Sequence, residues 1–144
     1  MKVFFDTNIL LDVLAERMPF YTDSAIVWTF AEEGRFEGLV SALSFSNVFY
    51  VLKKNSGVTV ARRGVAILRD VFTVVECGVQ VIDRAIQSNA IKDFEDAIQC
   101  FSAEKAACDC IVTRNPRDFP RAPSLPVMTA TKFLATYSFK AATR

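Results

Sequence analysis

The sequence predicts an α/β fold: a three-layer α/β/α sandwich with a central parallel sheet of four to five strands. Short apolar runs alternate along the chain with segments whose apolar residues recur at helical spacing. That alternation is the pattern of a parallel sheet with helices on both faces. The 144 residues contain no glycine- or serine-rich linker, repeat or low-complexity block, so a single domain over 1–144 is expected. Fifty-one per cent of the residues are apolar and 13 are Phe, which supplies a large, aromatic-rich core.

Val3-Phe4-Phe5 reads as a buried strand, and Ile9, Leu10, Val13 and Leu14 form a helical pattern directly after Asp6-Thr7-Asn8. Pro19-Phe20-Tyr21-Thr22-Asp23 is a break, after which Thr22 or Asp23 caps a helix carrying Ile26, Val27, Phe30 and Ala31. That helix stops near Gly34, and 38–42 make a short second strand. Ser44 is expected to cap the next helix, where Phe45, Val48, Phe49 and Leu52 fall at i, i+3, i+4 and i+7. Asn55-Ser56-Gly57 ends it. A helix over 60–70 follows, weakened by Gly64 by about 1 kcal/mol relative to alanine. The β-branched and aromatic run at 71–75 reads as a third strand, and 79–88 as a helix. Asp93 starts a further helix, with Phe94, Ala97, Ile98 and Phe101 on one face. Residues 110–113 form a fourth strand and 126–128 a short fifth. Between them Asn115-Pro116-Arg117-Asp118 is loop chemistry, and Thr129 or Thr131 caps a last helix to about Tyr137.

Composition narrows the chemistry. The net charge is +1, so nothing global attracts nucleic acid, and any such contact rests on local patches. Histidine is absent, which excludes serine-type triads, cysteine–histidine dyads and histidine metal sites. Chemistry here runs on carboxylates, hydroxyls, amides, Lys or Cys. Four cysteines are present; Cys108 and Cys110 share a face if they lie on one strand, and buried free thiols are the expected state. No signal peptide or membrane-spanning run is evident, which fits a reducing cytoplasm.

Three polar clusters fall at comparable places. Asp6 follows the first strand; Thr113, Asn115 and Asp118 follow the fourth; Asp93, Glu95 and Asp96 open the helix leading into the fourth. If the first and fourth strands are neighbours, all three clusters meet at the carboxyl end of the sheet, where ligands bind in open α/β folds. Oxygen ligands in that number suit a hard divalent cation. Each acid also has a simpler use. Asp6 and Asp93 are natural helix N-caps, Asp96 sits in a capping-box slot, and Asp118 suits an Asx-turn. Asn47, three residues after Ser44, likewise falls in a capping-box slot.

Taken together, Asp6-Thr7-Asn8, Asp93-Phe94-Glu95-Asp96-Ala97, and Val112-Thr113-Arg114-Asn115 with Asp118-Phe119 resemble the PIN domain. Ser41-Ala42-Leu43-Ser44 ahead of the helix carrying Asn47 fits the same pattern, and the resemblance covers nearly the whole chain. PIN domains are metal-dependent ribonucleases that include the VapC-type toxins of bacterial toxin–antitoxin systems. The resemblance implies a Mg²⁺- or Mn²⁺-dependent endoribonuclease acting on RNA, with an antitoxin protein as partner and a homodimer as a plausible assembly. Carried over by position, Asp6, Asp96 and Asp118 match the acidic metal-binding residues. Asn115 falls where the family has Asp or Asn, Thr113 matches a hydroxyl beside the site, and Asn8 a supporting polar residue. Asn47 departs from the pattern, since many members have glutamate there. Glu95 or Asp93 then restores the missing carboxylate, Asp93 being favoured, and one well-bound ion is favoured over two. Arg114 and Arg117 are candidates for positioning the RNA backbone, or are ordinary solvated loop charges. Lys53-Lys54 and Arg62-Arg63 read as solvent-facing.

Two other readings compete. One is a PIN-fold module with a depleted site, kept for RNA or protein binding, which Asn47 and Asn115 favour. The other is a phosphatase- or receiver-like domain with Asp6 as nucleophile; it wants a second Asp where Asn8 stands. The helix carrying Trp28 and Phe30 could supply an interface, although core packing is the commoner fate of such residues.

Overall fold

The computed structural model describes residues 1–119 and 125–139. Val3, Phe4 and Phe5 are fully buried, so β1 (Lys2–Phe5) has almost no solvent face and takes the middle of the sheet. β2 (Glu37–Ser41) and β3 (Thr73–Val75) extend the sheet on one side, β4 (Cys110–Val112) and β5 (Val127–Met128) on the other. All pairings are parallel, in the order β3-β2-β1-β4-β5. Phe5 stands opposite Val112 in the β1–β4 register, so the two strands end side by side.

Strand order dictates the layers. The chain moves one way along the sheet from β1 to β3 and the other way from β3 to β4. Right-handed crossovers then place the connecting helices on opposite faces. α1 (Thr7–Leu14), α2 (Tyr21–Glu32), α3 (Ala42–Ser56) and α4 (Val58–Val71) cover the face formed by Val3, Phe5, Val40, Cys110 and Val112, joined by α7 (Ala130–Thr136). α5 (Val79–Gln87) and α6 (Phe94–Lys105) cover Phe4, Leu39 and Ile111 on the other face. Alternate residues of each strand thus serve two cores. The first is aromatic: Phe72 meets Phe5 and Trp28 edge-on, each at 4.8 Å between ring centres.

Several local expectations are corrected. Ser41, not Ser44, caps α3: it is the last residue of β2, has extended backbone, and accepts the Leu43 N–H at 3.1 Å. Asn47 is therefore not in a capping-box slot. α2 begins at Tyr21 without a side-chain cap, so Thr22 and Asp23 lie within its first turn. Val71 ends α4 and Phe72 caps it, and only then does β3 begin. Trp28 is 5% exposed and lies in the core, the commoner fate of such a residue. Cys108 precedes β4 and packs toward α5 and α6, while Cys110 packs on the opposite face. All four cysteines are free thiols. Burial pushes Cys100 and Cys108 up to about 11 and Cys110 up to about 12, so these thiols are inert at neutral pH.

Gly64 has a packing reason for its place in a helix. A Cβ there would lie 2.5 Å from the Leu52 Cδ1 on α3, so the glycine lets α3 and α4 approach. Lys53, Lys54, Arg62 and Arg63 are exposed on these two helices. Among the described residues no helix is long and apolar enough to cross a membrane.

Candidate functional site

Between β2 and β4 the strand order reverses about β1, which is the position where open α/β sheets bind ligands at the strands' carboxyl ends. Asp6 stands there as the N-cap of α1, 3% exposed. Its Oδ1 accepts the Thr7 N–H at 2.8 Å and its Oδ2 accepts the Thr113 hydroxyl at 2.7 Å. Both simpler and functional uses thus hold at once: Asp6 caps a helix while its carboxylate faces a cleft. Thr113 continues β4 beside it, which follows directly from the β1–β4 pairing.

α6 brings the second group of acids. It leads into β4, whose strand runs parallel to β1, so the N-terminus of α6 lies at the same carboxyl edge. Asp93, Glu95 and Asp96 each offer an oxygen within 4.8 Å of the other two. A helix N-terminus favours negative charge there. Asp93 caps the helix, its Oδ1 accepting the Asp96 N–H at 3.0 Å.

A cleft of about 440 Å³ is lined by Asp6, Thr7, Asn8, Leu11, Asn47, Tyr50, Val51, Glu95 and Asp96. A second, of about 450 Å³, is lined by Ala90, Lys92, Asp93, Asp96, Arg117, Asp118 and Phe119. Asp96 borders both, so the two clefts flank it as the two sides of an acid trough. Burial and the neighbouring carboxylates of Asp6, Asp93, Glu95 and Asp118 push the Asp96 carboxyl up to about 7. Burial also raises Asp6, to about 6; Glu95 and Asp118 add to this, against the two hydrogen bonds from Thr113 and Thr7. These carboxylates carry a repulsion that a cation would relieve.

Glu95 and Asp93 are close neighbours that face different clefts. Glu95 lines the cleft with Asp6 and is fixed at Oε1 by three donors: Gln99 Nε2 at 2.9 Å, Thr7 Oγ1 at 3.1 Å and Asn47 Nδ2 at 3.4 Å. Asn47 thus stands where a glutamate was expected and holds one supplied by α6 instead. Asp93 lines the other cleft and spends one oxygen on its cap. Of these two acids, Glu95 is thus the one that shares a cleft with Asp6, and Asp93 lies across Asp96 from it.

Two residues that sequence reasoning missed complete the network. Gln99 is fully buried and also reaches Thr7 Oγ1 at 2.8 Å and Ser44 Oγ at 3.1 Å. Thr7 gives its one hydroxyl proton to Glu95, so the Ser44 hydroxyl, 2.8 Å from Thr7, is the donor of that pair. The signal for Gln99 was faint: one polar residue four after Glu95, with Ile98 and Cys100 on either side of it in the chain. Asp12 is the other. It is fully buried and accepts from the Arg114 guanidinium at both oxygens, and that guanidinium lies 4.1 Å over the Phe20 ring. Arg114 is thereby turned away from the acids, while its backbone N–H donates to Asn8 Oδ1 at 3.2 Å. Arg117 and Lys92 are exposed and border the acid trough. Asn115 is exposed at the start of a 3-10 turn over Pro116–Asp118 and lines neither cleft.

Comparison with known proteins agrees with this architecture. Ribonuclease VapC1 of Aquifex aeolicus is 27% identical over 139 residues, covering 92% of each chain. Among solved structures, VapBC2 from Rickettsia felis bound to a DNA fragment of its promoter superposes with a TM-score of 0.66 at 16% identity, covering 88% of this chain and 97% of that one. VapC20 of Mycobacterium tuberculosis, a sarcin–ricin loop cleaving toxin, superposes with a TM-score of 0.63 at 16% identity, covering 76% and 86%. The family model described as PIN domain matches residues 2–117. Its span takes in β1, α6, β4 and every acid of the trough except Asp118, and the chain belongs to the PIN domain family.

Proposed function

We propose that this chain is a metal-dependent endoribonuclease, the toxin of a toxin–antitoxin pair. The observation that carries the reading is the meeting of Asp6, Glu95 and Asp96 in one cleft, supported by Asp93 and Asp118 across Asp96. An all-oxygen donor set of this kind fits a hard divalent cation, Mg²⁺ or Mn²⁺. The raised Asp6 and Asp96 carboxyls agree, because a bound cation offsets their repulsion. Asp6, Glu95 and Asp96 would hold the ion, with Asp118 at the far side. When bound, such an ion lowers the pKa of water and stabilises charge developing on a phosphate.

The protein's own groups do the rest. Thr7 and Thr113 orient Asp6 and leave each of its oxygens a free lone pair. Gln99, Thr7 and Asn47 hold Glu95 through Oε1, leaving Oε2 for a ligand. Asn8 steadies the backbone after Thr113. Arg117, exposed beside Asp118, is suited to an RNA phosphate; Arg114, bound to Asp12, contributes by bracing the loop. Glu95 answers the charge deficit at Asn47, which weighs against a depleted binding module.

The relatives support the partners. One is named a ribonuclease, and the Rickettsia felis, Klebsiella pneumoniae and Salmonella typhimurium neighbours are toxin–antitoxin complexes. Labelled single-stranded RNA should be cleaved with Mg²⁺ or Mn²⁺ and spared on chelation. Asp6→Ala and Asp96→Asn should each lower cleavage by at least about 100-fold, since loss of mere ligand-supporting partners costs about 10–100-fold. Absent cleavage together with absent Mn²⁺ binding by calorimetry would overturn the enzyme reading. An antitoxin is checked by co-purification with the product of the adjacent gene, and a homodimer by sedimentation.

A further inference from the structure

Tyr50 has no place in the metal chemistry, yet it borders the cleft that holds Asp6, Glu95 and Asp96. It lies on α3 one turn after Asn47 and is 65% exposed. Most large aromatic rings of this chain lie in the two cores or pack against them, and Tyr50 is more exposed than Phe20 or Phe94. A ring left in water at the rim of an acid site gains no such packing. The other end of the trough is different in kind. Lys92 and Arg117 are exposed cations beside Asp93, Asp96 and Asp118. The acids thus lie between an aromatic flank and a cationic flank.

We propose that Tyr50 is a stacking platform for an unpaired base next to the scissile phosphate, while Lys92 and Arg117 take a phosphate on the opposite flank. The inference rests on the ribonuclease reading above and adds to it the residues that hold the strand on either side of the acids. Only a single strand fits both flanks: its bases are free to splay onto a ring, whereas those of a duplex are already stacked. Stacking is tolerant of sequence, so Tyr50 selects strandedness and not base identity. The cations act differently, since phosphate contacts release counterions and make affinity salt-dependent.

The test measures binding apart from cleavage. Fluorescence anisotropy follows a short labelled oligoribonucleotide of mixed sequence, single-stranded or in a duplex, in the presence of chelator. Tyr50→Ala should weaken single-strand binding by about 5- to 150-fold, leave the salt slope unchanged and leave duplex binding unaltered. Tyr50→Phe should keep wild-type affinity, because the ring is what stacks. Lys92→Ala and Arg117→Ala should each reduce the slope of log affinity against log salt by about 0.7. Equal single-strand affinity of wild type and Tyr50→Ala overturns the platform, and so does equal loss for duplex and single strand. If Tyr50→Ala instead leaves RNA binding intact but abolishes co-purification of a protein partner, Tyr50 is a protein contact and the inference falls. Selective loss of single-strand binding in a protein that never cleaves RNA with Mn²⁺ upholds the platform and overturns the ribonuclease reading, so the two fail separately.

Discussion

Glu95 shows how one side chain is held in place by those behind it. A free glutamate loses rotamer entropy on being held; here Gln99, Thr7 and Asn47 hold it beforehand. Gln99→Leu keeps the volume but removes the amide, so Mn²⁺ affinity by calorimetry should fall by about 10–100-fold while the thermal melt of the ion-free protein changes little. Unchanged affinity would mean that Gln99 only fills space. Asp6 and Asp96 make a second prediction, through protons. In the folded, ion-free protein their carboxyls are raised to about 6 and about 7 from an ordinary 3.8. The folded state therefore binds protons that the unfolded state has released. Their contribution to stability is complete below pH 4 and is lost as pH rises through 6 and 7. Urea titrations with chelator should show that loss between about pH 4 and 7. Added Mn²⁺ should reverse it, by about 2.7 kcal/mol at a hundredfold excess over its dissociation constant. A flat profile across that window would contradict the shared repulsion of the acids.

At the level of helices and strands, the site depends on how α1 is tied to the segment leaving β4. Asp12 on α1 and Arg114 after β4 form that tie, with the guanidinium sandwiched against Phe20. Asp12→Ala leaves the Arg114 guanidinium without its counter-charge. The cost should be about 3 kcal/mol, the low end for breaking a buried pair, because Arg114 remains 25% exposed. Chemical denaturation measures it, and Asp12→Asn should recover part of the loss by keeping one acceptor. Cleavage by the folded fraction should also fall, since Arg114 N–H and Asn8 join the same two segments.

Across the molecule, both cores share one sheet. Phe4 and Phe5 are consecutive and point into opposite cores, so neither face can come apart without exposing the strand that serves the other. One cooperative transition is the outcome expected of a single domain. Trp28 fluorescence reports the core under α2, and reaction of Cys100 with a thiol reagent reports the core under α6. Their urea midpoints should coincide. Separate midpoints would divide the chain into two stability units.

Local pattern carried much of this architecture. Each strand was legible as a short apolar run, the helices appeared through their spacing, and Asp6-Thr7-Asn8 marked the edge where chemistry collects. The errors were all at junctions. Ser41 and Ser44 are chemically alike, and only the end of β2 decides which of them meets an open N–H. The acids of the site were also legible, because charged residues at strand ends and helix starts stand out against apolar runs. Their roles were not. Asp93 and Glu95 are two residues apart, and the helical turn, together with Asn47 arriving from α3, decides which of them joins Asp6. Gln99 and Asp12 gain their meaning from partners more than 90 and 100 residues away in the chain. The sequence by itself determined the α/β class, the placing of acids after strands and at helix starts, and the exclusion of histidine chemistry, since these follow from local periodicity and composition. The tertiary structure alone decided that Glu95, held by Asn47, lines the cleft with Asp6 and that Arg114 pairs with Asp12, because long-range hydrogen bonds form only after β1 and β4 lie side by side.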